Sequence, residues 1–395
     1  MIAWRRDIHQ HPELGNREFR TAALVAAHLE SLGLEVRKEV AHTGIVAVLR
    51  GDLPGPVVAL RADMDALPVE EKTGLPFASK RRSEFNGQEV GVMHACGHDA
   101  HTAILMGAAQ ALTGLKQHLA GTVVFIFQPA EEGAPAGEEG GAALMLAQGV
   151  FDNPAPEAVF GLHVGPADFG TLSYGAGPMM AASDSFRITV SGRQTHGALP
   201  WHGVDSVTTA AQIVMGLQTV VSRRLDITIA PAVISIGSIH GGIRNNIIPA
   251  SVELEGTIRT FTAEHRLQVH RDIQTTARGI AQSAGAEVEV IIDQGYPATV
   301  NDAGLLDKML PTLERVAPRF IGKTSFTTGS EDFSFFANTV PGLFISLGIS
   351  PPGQDPEKTP PNHSPYFNVD EGALVVGVEA LTALAFDYLR MQASQ

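Results

Sequence analysis

Cysteine, aromatic residues and positive charge are all scarce in this sequence of 395 residues. The one cysteine, Cys96, leaves no intramolecular disulfide framework, and a reducing cytoplasm fits that count. Acidic residues outnumber basic ones by 42 to 28, which gives a formal net charge of −14. Because nucleic acids and anionic membranes are bound by basic surfaces, neither is the expected partner.

Long apolar runs are missing too. None approaches the ~20 residues of a membrane-spanning helix, and the first residues lack the basic-then-apolar order of a signal peptide. We therefore expect a cytoplasmic protein, while a leader removed ahead of residue 1 stays open. Hydrophobic residues still make up 44% of the chain, enough for a large core. At roughly 150 residues per domain, the length suggests two or three domains.

Strand-like and helix-like segments alternate through the first 165 residues. Short β-branched runs predict strands over 45–49, 57–60, 121–128 and 158–163, and helical spacing predicts helices over 21–32 and 101–113. This alternation is typical of an α/β domain with a largely parallel central sheet flanked by helices.

The pattern changes between residues 182 and 292. Strands are predicted over 186–191, 233–238, 252–257 and 287–291, and helices over 206–222 and 265–284. The order β-α-β-β-α-β is that of a small ferredoxin-like sandwich. We therefore predict a catalytic domain formed by 1–181 and 293–395, with an inserted domain at 182–292.

The densest group of reactive side chains is at residues 93–101, which read MHACGHDAH. Cys96 and His98 stand two apart at the start of a predicted helix, and thiolate and imidazole are both good zinc ligands. Taken alone, the same residues fit a buried cysteine beside solvated histidines.

Three further elements could join Cys96 and His98 at one edge of the sheet. Glu131 and Glu132 follow a predicted strand, His163 ends another, and His363 comes after a proline-rich loop at 351–361. Each has an ordinary alternative, such as a solvated acidic loop or a core histidine. In open α/β sheets, however, sites form where strands end. Five S, N and O donors are too many for one tetrahedral ion and suit two ions that share a bridging ligand.

Six motifs resemble one family closely. They are RRDIHQHPEL (5–14), RADMDALP (61–68), HACGHDAH (94–101), QPAEEG (128–133), GSEDF (329–333) and NHSP (362–365). They resemble the metal-dependent aminoacylase and carboxypeptidase G family, in its branch of N-acyl-amino-acid amidohydrolases, hippurate hydrolases and indole-acetyl-amino-acid hydrolases. The resemblance runs from about residue 4 to 385, with the motifs in the family's order.

The resemblance implies a site with two divalent ions, zinc first and manganese, cobalt or nickel as alternatives. Cys96 would bridge the ions, Glu131 would be the general base, and Asp65 would orient a ligand imidazole. Asp63 stands where relatives outside the branch have a histidine ligand. The implied ligands are Cys96, His98, Glu132, His163 and His363.

The inserted domain resembles the family's lid and dimerisation domain, which implies a homodimer. His196 would reach toward the substrate carbonyl, often in the partner subunit's site, and Asn246 would lie near the substrate. Arg259 is a candidate for binding a substrate carboxylate, or else an ordinary surface arginine. Where many members of the branch have histidine after the motif's proline, this chain has Trp201 and His202.

The implied activity is a metal-dependent hydrolysis of a small molecule. An N-acyl-L-amino acid of acetyl, benzoyl or arylacetyl type would be cleaved to a carboxylic acid and a free amino acid. A dipeptidase or carboxypeptidase of the same fold is the alternative within the family. A binding protein that has lost catalysis is the alternative outside it, and the complete set of six site residues opposes it.

Overall fold

The structure, a computed structural model, describes residues 1–317, 320–321 and 326–393. The chain forms two compact units. Unit 1 comprises Met1–Gly177, Val300–Ser325 and Asp332–Gln395, and unit 2 comprises Pro178–Thr299 and Phe326–Glu331. Each unit is described by itself.

Helices and strands are numbered in chain order. In the described residues the helices are α1 (Ile2–Gln10), α2 (Phe19–Ser31), α3 (His98–Gly114), α4 (Gly141–Ala147), α5 (Ser206–Arg224), α6 (Ala263–Ala284), α7 (Ala303–Val316), α8 (Phe333–Ala337) and α9 (Leu374–Ala393). The strands are β1 (Glu35–Val40), β2 (Gly44–Arg50), β3 (Leu53–Asp63), β4 (Arg82–Phe85), β5 (Gln88–Gly91), β6 (Ala120–Gln128), β7 (Ala158–Gly165), β8 (Leu172–Ser173), β9 (Gly177–Met180), β10 (Ala182–Ser191), β11 (Thr195–His196), β12 (Ala232–Gly241), β13 (Ile247–Ile248), β14 (Ser251–Thr260), β15 (Glu287–Gln294), β16 (Thr299–Asn301), β17 (Phe320–Ile321) and β18 (Gly342–Gly348).

Unit 1 is built on a mixed sheet whose strand order is β1-β2-β6-β3-β7-β18-β8-β17. Its centre is parallel, since β6, β3, β7 and β18 all run in one direction. At one edge β1 and β2 form an antiparallel hairpin, and β2 is antiparallel to β6. The predicted α/β class is confirmed, and the sheet is mixed, with a parallel centre and antiparallel pairings nearer its edges. A short turn can join antiparallel neighbours, whereas a parallel pair needs a crossover.

Helices cover both faces of this sheet. Neighbouring residues of a strand point to opposite faces: on β7, the ring of Phe160 lies 6.0 Å from that of Tyr388 in α9, whereas Gly161 faces Phe333 of α8. A side chain at Gly161 would come within 2.8 Å of the Phe333 ring. Burial on both faces explains why the central strands are continuous apolar runs.

The last helix is apolar because it belongs to this core. By length and composition, Glu371–Ala393 is the one stretch of the described residues that could cross a membrane. Half of it is buried, and Leu381, Leu384 and Leu389 pack in the core of unit 1. Its contacts with β3, β6 and β7 account for the apolar composition.

Helix α3 begins where only glycine fits. Gly97 has φ +97°, a left-handed conformation that favours glycine, and a Cβ there would come within 2.3 Å of Val164. The backbone of this residue therefore packs directly against β7. This close approach fixes Cys96 and His98, which flank it, beside the end of that strand.

Unit 2 follows the order β10-α5-β12-β14-α6-β15, with strand order β12-β14-β10-β15 and every pairing antiparallel. Both helices have capped N-termini: Asp205 accepts from Val207 N–H, and Thr262 accepts from His265 N–H. Apolar side chains of the sheet and helices form one core. The predicted strands and helices of this region are confirmed.

Candidate metal centre

Four parts of unit 1 bring ligand-type side chains to one edge of the central sheet. Cys96 and His98 flank the start of α3, His163 lies near the end of β7, Glu132 follows β6, and His363 lies between β18 and α9. The ends of the parallel strands β3, β6 and β7 meet at this edge. Ligand atoms of Cys96, His98 and His163 lie within 4.8 Å of one another, as do those of Cys96, Glu132 and His363.

The distances between these atoms fit groups that share small cations. The Sγ of Cys96 lies 3.4 Å from Nε2 of His163, and Nε2 of His363 lies 3.1 Å from Oε1 of Glu132. Nε2 of His98 lies 3.8 Å from Oε2 of Glu131 and 4.0 Å from Oε1 of Glu132. Sulfur, nitrogen and oxygen donors therefore converge on one region.

Two of the imidazole rings present Nε2 as a ligand atom. His98 donates from Nδ1 to Oδ1 of Asp65 at 3.1 Å, and its buried Nε2 has no hydrogen-bond partner among the described residues. His163 donates from Nδ1 to the carbonyl oxygen of Val164 at 2.8 Å, and burial lowers its pKa to about 4. A hydrogen bond from one ring nitrogen fixes the tautomer that leaves a lone pair on the other.

The electrostatics of the cluster favour a cation. Burial raises the pKa of the Cys96 thiol to about 12, so its ligand form, the thiolate, needs a compensating positive charge. Burial alone lowers the pKa of His98, but Asp63, Asp65 and Cys96 together raise it well above its usual range. Groups that would otherwise attract a proton attract a divalent ion for the same reason, and the residues present fit a metal site.

Asp65 contacts two parts of the centre at once. Its Oδ1 accepts from His98, and its Oδ2 accepts from the backbone N–H of Glu132 at 2.9 Å. The sequence predicted the first kind of contact. The second ties the turn that carries Glu132 to the same carboxylate.

His101 and Asp63 form a hydrogen-bonded pair that the sequence did not predict. His101 donates from Nδ1 to Oδ1 of Asp63 at 2.6 Å, and its Nε2 accepts from Val164 N–H at 2.8 Å. With both nitrogens used, His101 has no lone pair for a metal. The other oxygen of Asp63 is paired with Arg61 at 2.7 Å. The only signal was the presence of all three residues in the quoted motifs.

Glu131 contacts a different loop from its neighbour. Its Oε1 accepts from the backbone N–H of Asp332 at 3.4 Å, and the Asp332 carboxylate accepts from Arg61 and Gln128 at 2.8 and 2.7 Å. Glu131 is 6% exposed. Asp332 belongs to the motif at 329–333, but the resemblance assigns it no role.

The remaining candidates belong to unit 2. His196 is exposed, and its Nδ1 accepts from Ala198 N–H at 3.0 Å. The next residue, Gly197, donates to the carbonyl oxygen of Asn246 at 2.9 Å, so His196 and Asn246 are neighbours within this unit.

Arg259 and Trp201 also lie in unit 2. Arg259 lies on β14, and its buried Nη1 has no hydrogen-bond partner among the described residues. Burial lowers the pKa of its guanidinium group. Trp201 is 70% exposed.

Comparisons with known proteins cover nearly the whole chain. A family profile described as peptidase family M20/M25/M40 matches residues 59–387. An N-acetylcysteine deacetylase of Bacillus subtilis (strain 168) is 38% identical over 98% of this chain and 96% of that protein. Thermostable carboxypeptidase 1 of Saccharolobus solfataricus is 38% identical over 98% of this chain and 95% of that protein. The chain belongs to peptidase family M20/M25/M40.

A solved structure of the M20 family is similar throughout. It is the crystal structure of the Bacillus subtilis YXEP protein, described as a dinuclear metal binding peptidase, with a TM-score of 0.83 and 36% identity over 98% of this chain and 97% of that one. The predicted resemblance is thereby confirmed, and as an M20-family protein the chain is a hydrolase. The ligand clusters of unit 1 agree with metal binding in this family.

Proposed function

We propose that this M20-family hydrolase cleaves the amide bond of N-acyl-L-amino acids with the help of two divalent ions. The observation that carries the proposal is the convergence in unit 1 of one thiol, imidazoles and carboxylates, with Nε2 of His98 buried and unpartnered among the described residues. The similarity to an N-acetylcysteine deacetylase supports an acylated amino acid as substrate.

The ligands in this proposal are those expected from the sequence. Cys96, His98, Glu132, His163 and His363 would hold the two ions. Zinc is the first choice for mixed sulfur, nitrogen and oxygen donors, and manganese, cobalt and nickel are alternatives. When bound, the ions would lower the pKa of a shared water from ~15.7 toward ~7 and polarise the amide carbonyl.

Glu131 acts as the general base in this mechanism. Glu132 faces His363, whereas Glu131 makes its contact with Asp332 N–H, so the two adjacent carboxylates can have separate tasks. Glu131 takes a proton from the attacking water and gives it to the leaving amine. Asp65 holds the imidazole of His98 and the backbone of Glu132 in place meanwhile.

Unit 2 is proposed as a ferredoxin-like lid and dimerisation domain, with 182–292 as the insert and 1–181 with 293–395 as the catalytic domain. His196 would stabilise the oxyanion formed from the substrate carbonyl, with Asn246 near the substrate. The unpartnered Nη1 of Arg259 supports its role in binding the substrate carboxylate. The homodimer rests on the resemblance to the family alone. The single cysteine fits a cytoplasmic location, and the acidic composition opposes nucleic acid or a membrane as a partner.

The test is the variant Glu131→Gln, matched with Glu139→Gln as a control on the same loop, where Glu139 is exposed. Glu131→Gln should bind two ions per chain and lose turnover by about 100- to 10,000-fold, because only proton transfer is removed. The control should retain both properties. Substantial turnover by Glu131→Gln would show that another group is the base.

The second candidate is a carboxypeptidase, which the similarity to thermostable carboxypeptidase 1 favours. A panel of acetyl-, benzoyl- and indole-acetyl-amino acids together with dipeptides separates the two functions. Release of amino acids from the acyl substrates with higher kcat/KM supports the amidohydrolase. Activity confined to the peptides would reject it in favour of the peptidase.

A further inference from the structure

The turn that carries Glu131 and Glu132 has an unfavourable backbone conformation. It follows β6, and Ala130, which opens it, has φ +53°, in the left-handed region that favours glycine. A residue with a side chain persists there only where its surroundings hold it. The two carboxylates of the proposed mechanism therefore depend on whatever fixes Ala130.

Glu18 supplies one such contact from the start of α2. Its Oε1 accepts from the backbone N–H of Ala130 at 2.9 Å, and its Oε2 accepts from the hydroxyl of Thr43. Glu18 is wholly buried and Ala130 is 1% exposed, so water does not replace either hydrogen bond. Burial of a carboxylate is costly, and burial together with Asp65 raises the pKa of Glu18 to about 8.

The turn is enclosed on its other sides as well. A Cβ at Gly15 would come within 2.9 Å of the Gly133 carbonyl oxygen and 3.1 Å of the Ala130 Cβ. A Cβ at Gly140 would lie 3.2 Å from the same Ala130 Cβ. The backbone around Ala130 is thus packed closely against Gly15 and Gly140, and its N–H donates to Glu18.

Glu131 consequently lies between two backbone groups that are each held by a buried carboxylate. Ala130 N–H donates to Glu18, and Glu132 N–H donates to Asp65. Asp65 also binds His98, whereas Glu18 hydrogen-bonds Ala130 and Thr43. Glu18 therefore acts on the turn, and its charge also interacts with that of Asp65.

We propose that Glu18 is a positioning residue, which holds the turn 130–132 so that Glu131 can transfer protons and Glu132 can bind metal. The inference rests on the proposed function, because it assigns no chemistry to Glu18 itself. Loss of its oxygen should let the turn relax, and a displacement of about 1 Å at a catalytic group can cost about 100-fold in rate.

Three variants of Glu18 and one of Thr43 separate positioning from simple stability. Glu18→Ala removes the acceptor, and Glu18→Asp keeps a carboxyl group but is one methylene too short to span both partners. Glu18→Gln keeps an oxygen for Ala130 and an amide for Thr43. Thr43→Val removes only the second partner and is the matched control. Each is assayed as metal-loaded, folded protein, at a temperature well below its own unfolding transition.

We expect Glu18→Ala and Glu18→Asp to lower kcat by about 10- to 100-fold with KM changed by less than about threefold. Chelator competition should show metal affinity reduced by about tenfold, since Glu132 is in the same turn. Glu18→Gln and Thr43→Val should stay within about threefold of the parent kcat. Should Glu18→Ala not fold, the comparison of Glu18→Asp with Glu18→Gln gives the same information.

Parent-like kcat and metal affinity in Glu18→Asp would overturn the proposal, as would equal losses in Glu18→Gln and Glu18→Asp. Glu131→Gln is measured in parallel on the same substrate. If Glu131→Gln is inactive while Glu18→Asp is fully active, the positioning role alone is wrong. If Glu131→Gln remains active, the assignment of the base is wrong.

Discussion

A single carboxylate, that of Asp65, joins two parts of the candidate metal centre. One oxygen accepts from a ring nitrogen of His98 and the other from the backbone of Glu132. Asp65 and His98 are buried, and the bond from Glu132 N–H is partly buried, which limits competition with water at both. The orientation of two proposed ligands therefore depends on one side chain.

Asp65→Asn should weaken metal binding by about 10- to 100-fold, because an amide has one acceptor oxygen where the carboxylate has two. Competition with a chelator of known affinity measures the change. Asp52→Asn, at an exposed position paired with Lys116, should bind metal like the parent. Unchanged affinity in Asp65→Asn would show that the two hydrogen bonds do not position the ligands.

At the scale of residues, the sequence predicts positions better than partners. Glu132 and His163 could be picked out because each lies at or just beyond the end of a predicted strand, and Cys96 because it lies at the start of a predicted helix. The bond from His101 to Asp63 could not, since the residue types allow many pairings and only the folded chain selects one. Glu18 lies 112 residues from Ala130, and no local pattern connects them.

Among the elements, β10 and α6 of unit 2 are tied by a buried ion pair. Asp184, on β10, accepts from Arg266 and from Nε2 of His270, both on α6. It also accepts from the N–H of Gly295, just after β15. Burial by itself raises the pKa of Asp184, but Arg266 and His270 together lower it below its usual range.

The stability of unit 2 should therefore depend on pH through Asp184. A carboxyl group whose pKa is lowered on folding stabilises the fold fully above its unfolded pKa of about 3.9. This contribution is lost as the pH falls from that value through the lower pKa of the folded state. Asp184→Asn should lower the free energy of unfolding by about 1–3 kcal/mol at pH 7. The gap to the parent should narrow below about pH 4.

Urea unfolding at pH 7 and pH 3.5 measures both effects, with Asp293→Asn as the control because Asp293 is exposed in the same sheet. Parent-like stability of Asp184→Asn at pH 7 would contradict the prediction. A gap that stays constant down to pH 3.5 would contradict the titration of Asp184.

Elements with strong periodicity were predictable, and very short ones were not. Helix α6 and strand β14 contain the predicted segments with a few residues added at their ends. The two-residue strands β8, β11 and β13 carry too little pattern to be recognised. The antiparallel edge formed by β1 and β2 was missed because β1 is mostly charged and exposed, and because the apolar run of β2 does not show its direction.

At the scale of the whole molecule, all proposed metal ligands belong to unit 1. A metal that binds the folded but not the unfolded state adds about 2.7 kcal/mol to stability at a free concentration 100 times its Kd. Chelation should therefore lower the unfolding temperature of unit 1 and leave unit 2 unaffected. Hydrogen exchange, followed for individual peptides with and without chelator, measures the stability of each unit separately. Equal loss of protection in both units would contradict this prediction.

Unit 2 is made of two separate segments of the chain, which a prediction along the sequence does not reveal. Unit 2 takes in Phe326–Glu331, which the sequence assigned with residues 293–395. Within that unit, Ala181 N–H donates to the carbonyl oxygens of Thr327 and Gly329 at 3.1 and 2.9 Å. Such long-range backbone bonds leave no trace in composition or periodicity.

Cys96 also gives the chain a single site for thiol-specific labelling. It is the only thiol in 395 residues, and it is 7% exposed beside His163. Any thiol-specific mercurial or alkylating label that the protein takes up is therefore bound at Cys96, because the chain has no other thiol. Counting labelled molecules by mass would give the fraction of chains in which the Cys96 thiol is accessible to the label.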